Sequence, residues 1–522
     1  MQVTIVKSWL SQVRHHTRLL FILLGSAFIS VWTLLRFFNS TSTYDLTTQQ
    51  VLAHSWLHGY AAPISLGPTN YLLKIFLIYM PADLLPGSPR LKLILLTILI
   101  NVATYILLFI VLQKILAEFK IEVSSAFYSA MLWLSIVAGS VFWIEFANSR
   151  NLEVAGGMFL VLYSLRVLRE PTKRNTVGLT LLATLLFFAD TLQVYMVALP
   201  ILVYALLLAL FKKTSWKRIT TIFVIFSCGV IAALILTFIA RHVLDITISK
   251  AGAGTVPQDV SQISRAAQAA IRSTVRQLSG GIDAGKPREV VNLLFIVLGV
   301  ISFTLGILRR KVALRFGLFV VIFLIVDELV YIFSGTALQS DTSRYLVMLA
   351  PVIVLALASL SYLFEQSIVP KLVVIGFILF NAFLLSHALI QSWDTSFPKD
   401  RHLGSVMRYL NNHNYAYAFS SMDSATPLAY YGGVKHTLLL PVACGGGKLV
   451  HAYAFRDTHI AVDSNPSKLV PVILDGQAII NAPSVCTEQP IVNQLGKPAT
   501  TETTDDGSSV LLFSSTRLLG LK

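Results

Sequence analysis

Apolar runs long enough to cross a lipid bilayer recur along most of this chain, and no other feature restricts its fold so strongly. Eleven can be marked, near residues 19–38, 92–113, 124–146, 152–168, 175–189, 191–211, 219–240, 290–308, 316–335, 345–364 and 371–392. A hydrocarbon core ~30 Å thick needs about 20 apolar residues of helix, somewhat fewer or more with tilt. Charge is correspondingly scarce. Only 13% of the 522 residues are charged, half of the roughly 25% usual in soluble proteins, and mean hydropathy is +0.71. A string of soluble domains, a disordered chain and a disulfide-rich secreted scaffold are all excluded. The expectation is an α-helical polytopic membrane protein with about 11 transmembrane helices.

The net charge of +15 would suggest nucleic-acid binding in a soluble protein. Its placement gives another cause. With alternating helices, the loops on one side hold Lys114 and Lys120, then Arg166, Arg169, Lys173 and Arg174. The same side then receives Lys212, Lys213, Lys217 and Arg218, followed by Arg309, Arg310, Lys311 and Arg315, and last Lys371. The opposite short loops carry little beyond Arg150 and Arg344. Basic residues collect in cytoplasmic loops, so the excess is a topology signal and no nucleic-acid partner is expected. Lys7, Arg14 and Arg18 precede the first run. They put the N-terminus in the cytoplasm, and the absence of a small-x-small cleavage site makes that run a retained helix.

Three external segments exceed a simple connector. The first, 39–90, carries helix-like stretches at 46–58 and 70–80, too short or polar to span and suited to the interface. The second, 241–289, places Arg265, Arg272, Arg276, Lys286 and Arg288 among Gly and Ser. The third, 393–522, changes composition. Strand-like stretches at 416–420, 437–441 and 470–474 alternate with turns, which predicts a small extracytoplasmic α/β or α+β domain after a membrane region at 1–392. Cys228 lies within an apolar run, whereas Cys444 and Cys486 lie in the last domain and could pair.

Ionisable groups near a bilayer are costly, so their positions are informative. Nearly all the unusual ones fall on the external side: Asp45 beyond the first run, Arg150, Asn151 and Glu153 after the third, Asp190 at the turn between the fifth and sixth, and Arg344 and Tyr345 opening a late run. This arrangement resembles the GT-C glycosyltransferases, multi-spanning enzymes that use polyprenyl-phosphate-linked sugars, over roughly residues 10–392. The resemblance rests on Asp45 in a long first external loop, Arg150-Asn151-Leu152-Glu153 after the third helix, Phe188-Ala189-Asp190-Thr191 at an outer turn, and Ser343-Arg344-Tyr345-Leu346 before Pro351. Many relatives carry two adjacent acidic residues in the first loop; here Tyr44 stands beside Asp45.

The resemblance implies an inverting transferase in the cell membrane, with its C-terminal domain extracytoplasmic. It would move a sugar from a polyprenyl phosphate to a glycan, lipid or protein acceptor of the envelope. Such chemistry needs a base for the acceptor hydroxyl, and a single carboxylate suits displacement with inversion. Asp45 would be that base. Arg344 and Arg150 would hold the departing phosphate, helped by the Arg265, Arg272 and Arg276 set, with Glu153, Asp190, Tyr345 and Asn151 supporting the cavity. No cofactor is required, although His54 and His58, four residues apart, could bind a divalent metal with Asp45.

Each residue also has a plainer role. Asp45 could cap a helix, and Asp190 with Gln193 fits a capping box. Glu153 could pair locally with Arg150, and Arg344 could anchor a helix at the headgroups. His54 and His58 could be ordinary interfacial histidines. Asn39-Ser40-Thr41 is a glycosylation sequon, meaningful only in a glycosylating host. Asp327 and Glu328, inside the ninth run, are the feature that favours the competing expectation of a transporter or flippase of envelope precursors.

Overall fold

The computed structural model describes residues 16–31, 33–34, 49–50, 53, 56–57, 64–66, 72–87, 89–123, 125–136, 150–243, 246–248, 257–279, 297, 300–301, 303–308, 313–334, 346, 348–358, 376, 379–380, 383, 398–415, 417–421, 438–445, 448–451, 469–474 and 488–514. The chain gathers into two compact units. One comprises Met1–Leu34, Thr97–Thr237 and Ala251–Ile390; the other comprises Leu35–Leu96, Phe238–Lys250 and Gln391–Lys522.

The described chain is mostly helical, with a small C-terminal sheet. Its helices are α1 (His16–Val31), α2 (72–83), α3 (Pro89–Glu118), α4 (Ser125–Ile136), α5 (Asn151–Arg169) and α6 (Lys173–Ala189). There follow α7 (Val194–Leu210), α8 (Trp216–Val243), α9 (Val260–Ser279), α10 (Leu314–Phe333), α11 (Leu349–Ala358), α12 (Pro398–His413) and α13 (Glu488–Leu495). Among the described residues, three helices are long and apolar enough to cross a membrane: Leu91–Glu118, Trp216–Val243 and Leu314–Phe333. The runs expected near 290–308 and 371–392 lie largely outside the described residues. Helix α8 exposes Phe223, Ile231, Leu234 and Ile235, the apolar surface that a lipid-facing helix carries.

In the first unit α5 and α6 form an antiparallel hairpin. Thr172 caps α6 by accepting a hydrogen bond from the Asn175 amide at 3.3 Å, and Pro171 precedes it. Close approach is set by glycines: a Cβ on Gly156 would stand 2.6 Å from Leu186, and one on Gly178 2.7 Å from Tyr163. Helix α7 opens with a π turn, Val194–Ala198, closed by the Leu199 amide donating to the Val194 carbonyl. Pro200 sits just beyond it. Proline has no amide to give the preceding turn and its ring crowds that turn, so a locally widened helix accommodates it.

The segment 241–289, longer than a connector needs, contains α9, a 20-residue helix with a marked apolar face. Asp259 starts it, its side chain accepting from the Gln262 amide at 2.7 Å. Between the first two apolar runs the helical run 72–83 matches the stretch expected at 70–80.

Among its described residues the second unit holds two sheets. Strands β1 (Ile64–Leu66) and β2 (Ile246–Ile248) pair in parallel. The larger sheet comprises β3 (Tyr417–Ser421), β4 (Leu438–Gly445), β5 (Lys448–His451), β6 (Leu469–Ile473), β7 (Thr500–Thr503) and β8 (Ser509–Ser514). Their spatial order is β5-β4-β3-β6-β8-β7. Strands β4 and β6 run parallel to β3, and the remaining pairs are antiparallel. Alternating side chains feed two cores. Leu403, Val406 and Leu410 of α12 pack on Ala418, Val510 and Leu512. On the other face Ile491 and Leu495 of α13 pack on Phe419, Val472 and Phe513. The expected strands at 416–420, 437–441 and 470–474 are thus present, each within a residue or so at its start. This mixed sheet lies between helices, an α/β arrangement.

Candidate functional site

The polar residues singled out in the sequence meet in part at one end of the α5–α6 hairpin. Arg150 is the residue before α5, with φ −135° and ψ 0°, and its side chain does not cap the helix. Its carbonyl accepts from the Val154 amide at 2.9 Å, leaving the guanidinium to turn inward. Asp190 ends α6 in an extended conformation, its amide donating to the Leu186 carbonyl at 2.8 Å. Arg150 Nη1 then lies 3.8 Å from Asp190 Oδ2, and the two side chains are only 6% and 0% exposed. Glu153, one turn into α5, is also buried. A carboxylate in a first turn is favoured by the partial positive charge of a helix N-terminus.

The Asp190 turn differs from a capping box. Asp190 Oδ1 accepts from the Leu192 amide, two residues on, at 3.1 Å, while the Gln193 amide donates to the Asp190 carbonyl at 3.0 Å. This Asx-type turn fixes one carboxylate oxygen and leaves the other toward Arg150. Gln193 is buried as well. A Cβ on Gly157 would meet Gln193 Oε1 at 2.6 Å and Met348 Cε at 3.1 Å. Gly156 and Gly157 therefore let α6, the start of α7 and the chain entering α11 crowd the first turns of α5. The glycine pair was the sequence signal for this cluster, since two glycines inside an otherwise regular apolar helix point to close packing.

At the other end of α5, Arg166 and Arg169 bind Glu118 at 3.0 and 2.7 Å, and Arg218 donates to the Leu168 carbonyl at 2.9 Å. The 19 residues of α5 separate the two charged ends by about 28 Å at 1.5 Å per residue, close to a hydrocarbon core. Arg150 and Asp190 are thus segregated from the residues expected in cytoplasmic loops.

The structure pairs Arg150 with Asp190, and Glu153 is buried one turn into α5. Asn151 begins α5 beside them in the chain; its side chain lies outside the described residues, as do Asp45, Arg344, Tyr345, His54 and His58. Met348, four residues after Arg344, reaches Gly157. Among the described residues no three His, Cys, Asp or Glu side chains assemble a metal site. The Cys444 and Cys486 side chains are also outside the described residues, although the Cys444 backbone lies in β4 opposite Leu449.

Asp327 and Glu328 occupy α10. Asp327 is 4% exposed, and neither carboxylate oxygen has a hydrogen-bond partner among the described residues. Glu328 accepts a hydrogen bond from Thr274 of α9.

No family model matches the sequence, and no curated protein matches it.

Proposed function

We propose that this chain is an inverting glycosyltransferase that works at one face of a membrane, using a polyprenyl-phosphate-linked sugar as donor and an envelope glycan, lipid or protein as acceptor. The observation that carries this reading is the buried Arg150–Asp190 pair with Glu153, gathered at the end of α5 remote from the basic loops. A guanidinium presents five donors in a fixed fork, enough to engage a carboxylate and a phosphate oxygen together, and Asp190 fixes that fork's direction. In the proposed reaction Asp45 takes the acceptor hydroxyl proton. The acceptor oxygen forms its bond to the anomeric carbon as the bond from that carbon to the phosphate oxygen breaks, with inversion. The phosphate leaves with the electron pair, and Arg344 and Arg150 stabilise its charge. Eleven spans, a cytoplasmic N-terminus and an extracytoplasmic C-terminal domain belong to this proposal.

A second reading has one observation in its favour. A carboxylate such as Asp327, buried in a helix able to cross a membrane, is a feature of ion- or proton-coupled transport. Purified protein with a labelled polyprenyl-phosphate sugar separates the two. Asp45→Asn is expected to keep donor binding and lose transfer, and Arg344→Ala to weaken donor binding. Full transfer by Asp45→Asn removes the base. Solute uptake by proteoliposomes without any glycosyl product replaces the transferase with a transporter.

A further inference from the structure

Helix α9 carries three kinds of surface around its axis. At 100° per residue, Ala266 and Ala270 share the side that packs on α10, and both are fully buried. Val260, Ile271 and Val275 fall within about 60° of one another and remain 83%, 63% and 40% exposed. Arg265 and Arg272, seven residues apart and both exposed, form a third strip about 100° from the apolar one. Arg276 shares that strip by register, and α9 contains no acidic residue. Hydrophobic side chains beside a run of guanidinium groups complement a bilayer surface whose headgroups carry phosphate.

The depth of α9 agrees. Ser273 lies 3.5 Å from the Tyr331 hydroxyl, and Thr274 bonds Glu328. Tyr331 and Glu328 stand two and five residues before the last residue of α10, so about 3 and 8 Å from its end. An amphipathic helix buries its apolar face about 5–10 Å into the boundary between headgroups and acyl chains. Polar bonds to the terminal turns of a membrane-crossing helix hold α9 at that level.

We propose that α9 is a docking surface for anionic phospholipid, its exposed valine and isoleucine strip entering the acyl boundary and Arg265 and Arg272 binding headgroup phosphates. This holds whether or not the chain transfers sugar. The test uses the full-length protein in detergent, with lipid retention followed by native mass spectrometry during titration with phosphatidylglycerol or phosphatidylcholine. Wild type prefers phosphatidylglycerol, and salt weakens the preference. Each arginine near such a surface contributes up to about fivefold, so the Arg265→Gln/Arg272→Gln variant loses roughly 20-fold of it. The Arg265→Lys/Arg272→Lys variant retains most of it, which separates lost charge from lost fold. Ile271→Ser/Val275→Ser lowers retention of both lipids alike. An unchanged preference in the Gln variant overturns the proposal, as does equal loss in the Lys variant. So does competition by soluble glycerol phosphate at the same concentration as lipid. A Gln variant that loses polyprenyl-phosphate sugar while keeping its phosphatidylglycerol preference also overturns it, because those arginines then serve the donor.

Discussion

Asp190→Leu is the perturbation that most directly interrogates the buried pair. At 3.8 Å and an effective dielectric of about 20, the Coulomb attraction is about 4 kcal/mol. Removing one partner leaves Arg150 buried without that compensation, which typically costs about 3–5 kcal/mol. Replacing both, as Arg150→Met/Asp190→Leu, removes the charge and its desolvation together and should be close to neutral or slightly stabilising. The assay is thermal unfolding in detergent of wild type, both single variants and the double, read as a double-mutant cycle. For a cooperative unit of about 300 residues, unfolding entropy of about 2.1 cal/mol/K per residue makes 4 kcal/mol a drop of about 6 °C in Tm. The double variant should recover most of it while remaining inactive in sugar transfer, because shape is restored and charge is not. If Asp190→Leu melts with wild type, or if the double loses the sum of both single penalties, the reasoning about this pair is wrong.

Three further outcomes follow from particular contacts. Gly156→Val pushes a branched side chain toward Leu186, 2.6 Å from where its Cβ would stand; a loss of about 1–3 kcal/mol is expected in chemical unfolding, and Leu186→Ala in the same chain should relieve part of it. Burial pushes the Tyr409 phenol well above its usual range, helped by its 2.7 Å hydrogen bond to Glu502 and by Tyr415. A raised folded-state pKa means stability complete below about pH 10, the unfolded tyrosine value, and lost as pH rises beyond it. Alkaline unfolding of the C-terminal sheet, followed by circular dichroism, should therefore shift to higher pH in Tyr409→Phe, and an unchanged midpoint would show that another group controls it. Thr172→Ala removes the cap on Asn175 and should cost about 1 kcal/mol with no effect on donor binding.

The elements visible in the sequence are those whose signal is local. Strands β3, β4 and β6 announce themselves through alternating or continuous β-forming residues between turns, and α3, α8 and α10 through uninterrupted apolar length. Helix α9 has its period in the sequence, with Val260, Ala267, Ile271 and Val275 at helical spacing, but the arginines within it and the Gly and Ser around it keep that period from standing out. Arg150 and Asp190 were recognisable as sharing one membrane face, since helix alternation gives sidedness. Their pairing was not, because 40 residues separate them and the approach depends on how α5 and α6 pack. That packing turns on Gly156 and Gly157, whose consequence appears only when Leu186 and Gln193 are placed against them. The π turn at Val194–Ala198 is likewise a response of the backbone to Pro200 and has no residue signature of its own.

Burying an ion pair is a poor way to stabilise a helix hairpin, since apolar residues of similar volume do as well or better. Between apolar helices that alternative is available at every position. A structural explanation of Arg150 and Asp190 must therefore say why charge stands where leucine would serve, and the hairpin's own packing gives no reason. The rest of the arrangement points the same way. The Asx-type turn holds one oxygen of Asp190, the guanidinium is aimed by the other, and Glu153 adds a second buried carboxylate one turn along α5. At the opposite end of α5 the charges have an ordinary use: Glu118 neutralises two arginines of the kind that fix topology, with Arg169 largely exposed. Two charged ends of one helix thus differ in kind, one solvated and the other enclosed. Enclosed, oriented charge is what phosphate recognition requires, and this contrast supports the proposal that a phosphate-bearing ligand binds at the Arg150 end.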